Sequence, residues 1–154
     1  MEVFNESHFK VIDLISEKIS GPVYYGGSVE DFLILENAYK PIGDLDIMVY
    51  DEKTLNELFN LFDIETEKES YFNRFFSQKF TKYVTHYNGI KIDILYSEQT
   101  IDKNKHTSTV YKGRQFNHRN REYKIEVLKE WVDKSMPDDL WANEKFSKIL
   151  KRYL

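Results

Sequence analysis

The chain has 154 residues and a mass of 18.5 kDa, enough to close one hydrophobic core and too little for two large domains. Its composition, 41% hydrophobic and 16% aromatic with 11 Phe and 11 Tyr, is that of a folded domain, and the absence of cysteine excludes a disulfide framework, a thiolate zinc site, an iron–sulfur cluster and a cysteine nucleophile. A formal charge of -4 and a pI near 5.6 argue against a protein held to nucleic acid by bulk positive charge, although a local basic face is compatible with them.

The first 20 residues carry acids every few positions and lack a basic segment followed by an apolar run, so they do not read as a secretory signal. No apolar stretch approaches the roughly 20 residues needed to cross a bilayer. The expectation is a cytoplasmic protein without a membrane partner. Charge divides unevenly: residues 1 to 100 hold 9 Lys+Arg against 18 Asp+Glu, and residues 101 to 154 hold 13 against 8. The two parts therefore face different partners, unless the asymmetry belongs only to solvated surface.

Phe4, Phe9, Val11, Ile12, Ile15 and Ile19 recur at helical spacing, and Gly21-Pro22 ends that pattern, predicting an amphipathic first helix. Pro22 to Tyr25 reads as a short strand running into Gly26-Gly27-Ser28, after which Val29 to Leu35 reads as a helix. Asp44 to Tyr50 alternates as a strand, with Leu45, Ile47 and Val49 on one face and Asp44, Asp46, Met48 and Tyr50 on the other. Glu52 to Phe62 has a helical stripe of Leu55, Leu58, Phe59 and Phe62, followed by a turn region. Lys79 to His86 and Lys91 to Tyr96 form two strand-like runs around Asn88-Gly89, a strong hairpin signal because both residues tolerate positive φ. Asp93 falls mid-strand on the polar side, opposite Ile92 and Ile94.

Beyond residue 100 the pattern predicts short strands at Thr107–Tyr111 and Tyr123–Val127 around a basic loop, then helices near Leu128–Lys134 and Asn143–Tyr153. Asp139 is a candidate N-cap for the last of these. Trp131, Trp141, Phe146, Ile149 and Leu150 read as the core of the C-terminal helices. The whole chain is expected to be a single α+β domain, with a core over about 20–100 and the basic loop and C-terminal helices over about 101–154.

Two aspartates at i and i+2 on a strand project side by side and repel by on the order of 3 kcal/mol at an effective dielectric of about 20. Such a pair suits a hard divalent cation, and Asp93 on another strand of the same sheet would complete a site for two ions. Glycines before a helix let backbone N–H groups approach phosphate closely, and Ser28 adds a hydroxyl donor. The four histidines, His8, His86, His106 and His118, show no metal-ligand spacing and read as packing or surface residues. The run Lys112-Gly113-Arg114-Gln115-Phe116-Asn117-His118-Arg119-Asn120-Arg121 gathers four cations around an aromatic, as in phosphate or base binding, or as a solvated hairpin tip.

Gly26-Gly27-Ser28, then Asp44-Leu45-Asp46, then a distal Asp93 between isoleucines resembles the nucleotidyltransferase superfamily that includes DNA polymerase beta. Within it the chain is most similar to the small bacterial branch of minimal nucleotidyltransferases, AbiEii-type toxins and antibiotic nucleotidyltransferases. In that family an acid follows the glycines, at the place of Asp31, and a basic residue precedes the acid pair, at the place of Lys40. The family often has Arg where this chain has Lys40, and Thr or Ser where it has Ile42 and Gly43.

The resemblance implies a nucleotidyltransferase fold, with a mixed twisted sheet flanked by helices and with C-terminal helices, in which Asp44, Asp46 and Asp93 are catalytic and bind two magnesium ions, or manganese. It also implies that Gly26, Gly27, Ser28 and Lys40 hold a nucleoside triphosphate such as ATP. The nucleoside monophosphate would pass to an acceptor hydroxyl with release of pyrophosphate. Asp31, Arg114, Arg119 and Arg121 are candidate contacts to acceptor or phosphate. RNA or protein is the favoured acceptor; a small-molecule antibiotic, or an idle nucleotidyltransferase-fold module such as an antitoxin, are the alternatives. A phosphohydrolase built on the paired aspartates is disfavoured by the glycine–serine turn before them.

Overall fold

A computed structural model describes residues 2–154. Helix α1, Glu6–Lys18, opens on a reciprocal capping box, in which Asn5 accepts from the His8 N–H and His8 accepts from the Asn5 N–H. Strand β1, Tyr24–Tyr25, leads through the glycines into α2, Gly27–Leu35; β2, Leu45–Val49, and α3, Glu52–Leu61, follow. Asp51 caps α3 by accepting from the Thr54 N–H. These elements lie where the periodicity predicts them, within a few residues at each end.

Strands β3, Thr66–Glu69, β4, Thr81–Tyr87, and β5, Ile90–Tyr96, follow, with a short 3-10 turn over Tyr71–Arg74 between the first two. The Asn88-Gly89 hairpin is present, with φ of 53° and 79°, the left-handed pair of a two-residue turn. Strands β6, His106–Tyr111, and β7, Arg114–Arg119, form a second hairpin, and helices α4, Arg121–Ser135, and α5, Leu140–Tyr153, close the chain. Asp139 caps α5 as expected, accepting from the Ala142 N–H.

The seven strands form one mixed sheet in the order β3-β4-β5-β2-β1-β7-β6. The β2–β5 and β1–β7 pairs are parallel and the other pairs antiparallel. Leu45, Ile47, Val49, Ile92 and Ile94 point to one face, where they share a core with Val11, Ile12 and Ile15 of α1, Val29 and Leu33 of α2, and Leu55 and Leu58 of α3. The other face is only partly covered. Met48, Tyr50, Phe76, Phe80 and Val127 form one small cluster there, and Phe75, Ala142 and Phe146 form another. The gap left beside these clusters becomes the site.

Three expectations are corrected. Tyr123–Val127 is not a strand but lies within α4, because Asn120 caps that helix by accepting from the Tyr123 N–H. The expected basic loop is the β6–β7 turn, the whole of β7 and the start of α4, with Phe116 and His118 buried inward from alternate positions of the strand. In addition, Trp141 is not core: it is 64% exposed, whereas Phe146 five residues later is buried.

Candidate active site

Parallel pairing of β2 with β5 sets Asp46 directly beside Asp93. Their flanking residues Leu45, Ile47, Ile92 and Ile94 are fully buried on the opposite face, so the hydrophobic core fixes the register that juxtaposes the two carboxylates. Asp44 stands just before β2 and is more exposed. Lys91 bridges it to Asp93, with Nζ 3.8 Å from an Asp44 oxygen and 3.9 Å from Asp93 Oδ1. Lys82 of β4 approaches the other Asp93 oxygen at 3.5 Å.

The loop that delivers Asp44 is held from a distance. The His8 ring accepts from the Asn5 backbone N–H through Nδ1, which leaves Nε2 as the protonated nitrogen, and it donates to the Gly43 carbonyl at 2.7 Å. The Ile42 N–H also donates to the Val3 carbonyl. In the sequence His8 reads only as a packing or surface residue, because its partner in this clamp lies 35 positions away.

Gly26 and Gly27 turn the chain over Asp46. The Gly26 N–H donates to the Asp46 carbonyl at 2.9 Å. Gly27 has φ +58°, and a Cβ there would stand 2.2 Å from Asp46 Oδ2, so both its backbone and the neighbouring carboxylate require glycine. No side chain caps α2, which leaves its first-turn N–H groups, with Ser28 among them, open to an anion.

Burial and the Asp93 carboxylate beside it raise the Asp46 carboxyl well above the usual carboxylate range, an effect that Lys82 opposes. Asp93 is 6% exposed, and its Oδ1 is buried without a hydrogen-bond partner. A buried carboxylate oxygen without a hydrogen bond, paired across the strands with Asp46, has the chemistry of a hard-cation ligand, and a side chain at Gly27 would fill the space beside Asp46. Among the described residues the acids are gathered without closing on a common centre; the two lysines supply the positive charge near them.

These acids open into a cleft of about 870 Å³ lined by Gly26, Gly27, Ser28, Asp31, Lys40, Asp44, Asp46 and Asp93 on the sheet side, and by α4 and α5 on the other. Every residue expected to hold metal or nucleotide therefore faces one cavity. The candidate cations divide differently. Arg119 lines the cleft but is committed to Glu30, to which it donates from Nε, Nη2 and its backbone N–H, while Lys124 donates to the same carboxylate at 2.8 Å. Burial alone would raise the Glu30 carboxyl, yet Arg119 and Lys124 outweigh it and bring the pKa down to about 2. Asp31 joins this network, accepting from the Tyr153 hydroxyl and lying 3.5 Å from Lys124 Nζ.

Arg114 instead pairs with Asp13 through Nε and Nη2, at 2.7 and 2.9 Å, and Arg121 donates to the Tyr153 carbonyl; neither lines the cleft. Cations that do line it, and that the sequence pattern did not single out, include Lys82, Lys91, Lys145, Lys148 and Arg152.

No protein-family model matches the sequence, and a search of curated proteins finds no match. Solved structures do resemble it. A candidate nucleotidyltransferase from Thermotoga maritima superposes with a TM-score of 0.59 at 18% identity, covering 86% of this chain and 96% of the other. ANT(2'')-Ia in complex with adenylyl-2''-tobramycin gives a TM-score of 0.62 at 13% identity, covering 95% of this chain and 84% of the other. A solution structure of the antibiotic-resistance factor ANT(2'')-Ia gives 0.58 at 12% identity, over 96% and 85%. The chain has the nucleotidyltransferase fold. In this nucleotidyltransferase fold the glycine turn and the three aspartates occupy a single cleft, and no helix is long and apolar enough to cross a membrane among the described residues.

Proposed function

We propose that the protein is a metal-dependent nucleotidyltransferase that moves a nucleoside monophosphate from a triphosphate such as ATP to an acceptor hydroxyl. The observation that carries this reading is the packing of the Gly26-Gly27 turn directly onto Asp46, beside a buried Asp93 oxygen that accepts no hydrogen bond among the described residues. A phosphate-binding backbone and a carboxylate cluster in van der Waals contact have complementary chemistry, since the cluster alone would repel a triphosphate. Likeness of fold to ANT(2'')-Ia supports the same reading.

Asp44, Asp46 and Asp93 would hold magnesium or manganese. Bound there, the metal supplies Lewis acidity toward the α-phosphate and lowers the pKa of a hydroxyl near it. The chain's own groups do the rest. The N–H groups of the α2 N-terminus and the Ser28 hydroxyl bind the β- and γ-phosphates, and Lys40 at the cleft rim neutralises charge beside them. Asp93, buried and short of partners, accepts the proton from the attacking hydroxyl. The Glu30–Arg119–Lys124 network holds α2, β7 and α4 together behind the turn, which keeps the phosphate-facing N–H groups in place.

The experiment is transfer of label from α-labelled triphosphates to acceptor pools with Asp46→Asn as control. Metal-dependent labelling by wild type, with release of pyrophosphate and loss of labelling in the variant, is expected; equal labelling by the variant would remove Asp46 from the site. Antibiotic transfer is the second reading, and the fold of ANT(2'')-Ia in complex with adenylyl-2''-tobramycin is the observation that favours it.

A further inference from the structure

Resting on the nucleotidyl-transfer reading, the cleft also carries information about the acceptor. Helix α5 forms its outer wall, and Trp141, Lys145, Lys148 and Arg152 lie at i, i+4, i+7 and i+11, one stripe on one face. Ala142, Phe146 and Tyr153 bury the other face. Lys145, Lys148 and Arg152 all line the cleft, across from the aspartates. At about 1.5 Å per residue the stripe from Trp141 to Arg152 is about 16 Å long, longer than a triphosphate held at the glycine turn.

Exposed rings alternate with these cations. Trp141 is 64% exposed with Lys145 Nζ 5.2 Å from its ring, and Tyr71, 40% exposed, packs edge-on to Trp141 and carries the Arg74 guanidinium at 5.5 Å. At the other end Tyr39, 48% exposed, carries the Arg152 guanidinium at 4.0 Å. Tyr39 and Tyr71 line the cleft and Trp141 packs beside it on Tyr71, and exposed rings next to cations in this arrangement suit a ligand that alternates flat bases with phosphates.

We propose that this α5 face binds single-stranded nucleic acid and delivers its terminal 3′-hydroxyl to the aspartates as the acceptor. A polycationic acceptor would face repulsion from three cations on this wall. An acidic protein would use the cations and leave the rings without a role. In the step, the 3′-oxygen forms a bond to the α-phosphorus and the bond from that phosphorus to the bridging oxygen breaks. Pyrophosphate departs with the electron pair, and the hydroxyl proton passes to Asp93 and then to water. The overall acidity of the chain does not oppose this, because the positive charge is concentrated in residues 101 to 154.

Fluorescein-labelled oligoribonucleotides and oligodeoxyribonucleotides are titrated with the full chain, reading anisotropy over a salt series, alongside Lys145→Glu/Lys148→Glu and Trp141→Ala. Both positions of the double variant are exposed, and a thermal shift with magnesium and triphosphate checks that each variant keeps its fold and nucleotide site. Expected are salt-sensitive binding by wild type, about tenfold weakening at low salt with a shallower salt slope in the lysine variant, and about tenfold weakening in Trp141→Ala. The two sugar arms identify which strand is preferred, and binding of either supports the proposal. An intact nucleotide shift with no oligonucleotide binding, or binding that the α5 variants leave unchanged, would overturn it while leaving nucleotidyl transfer standing. Equal competition by polyglutamate would also overturn it, since charge alone would then explain the binding. Loss of the nucleotide shift in wild type would remove the underlying reading, and the proposal with it.

Discussion

Gly27 and Asp46 are in contact across the turn between β1 and α2, so closely that a single added carbon at position 27 would lie 2.2 Å from Asp46 Oδ2. The glycine turn and the carboxylate that burial and Asp93 raise are thus one packed unit.

Gly27→Ala is therefore expected to act on both halves. Its φ of +58° is strained for alanine, and Asp46 must move to admit the methyl group. Thermal or urea denaturation should show a loss of about 1–3 kcal/mol, and the stabilisation of the remaining folded protein by magnesium with triphosphate should disappear. An unchanged nucleotide shift would mean that the turn does not touch the phosphates.

Glu30→Gln tests the buried network. Removing the charge leaves Arg119 and Lys124 buried without their shared partner, with an expected cost of about 3–5 kcal/mol. The pH dependence has a definite sign. The Glu30 pKa is depressed from 4.5 to about 2 in the folded protein, so its contribution is full above pH 4.5 and is lost as the pH falls toward 2. Denaturation curves of wild type and Glu30→Gln should therefore converge on acidification through that window. Parallel curves would show that the network contributes no ionic stability.

Lys82→Met tests the resident cation beside Asp93. Its ammonium stands 3.5 Å from an Asp93 oxygen and competes with any metal for that carboxylate. Calorimetric titration with manganese should show affinity rising about tenfold, equivalent to about 1.4 kcal/mol, while stability without metal falls. Equal affinities would place the metal away from Asp93.

Much of this architecture is readable from local pattern. The β2 and β5 alternations, the Asn88-Gly89 turn and the Asp139 cap each depend on residues within a few positions of one another, and the structure contains all of them. Strand β3 was not legible, because Thr66-Glu67-Lys68-Glu69 has no apolar residue to alternate. It is an edge strand paired on one side only, where charge discourages association with other chains. Strand β7 reads as a basic loop for a related reason. Its Arg119 is neutralised by Glu30, 89 positions earlier, and no local pattern displays that pairing.

The candidate site divides in the same way. The glycine turn and the three aspartates were legible as residue types at a spacing, and the structure brings them into one cleft. The lysines at 82 and 91, the His8 clamp and the α5 stripe depend on how distant elements meet. On helix α5 the cations alternate with core residues and resemble an ordinary solvated face until the cleft is seen beside them.

The central claim is that the glycine turn and the aspartates together bind a triphosphate with metal. Its most direct test is a thermal-shift panel of the four ribonucleoside triphosphates, with and without magnesium, on wild type and on Asp44→Asn/Asp46→Asn. Ligand at 100 times its dissociation constant adds about 2.7 kcal/mol of stability, a shift readily visible in a domain of this size. The expected result is stabilisation by at least one triphosphate that needs both magnesium and the wild-type aspartates. Stabilisation of equal size in the double variant, or none by any triphosphate in wild type, would contradict it.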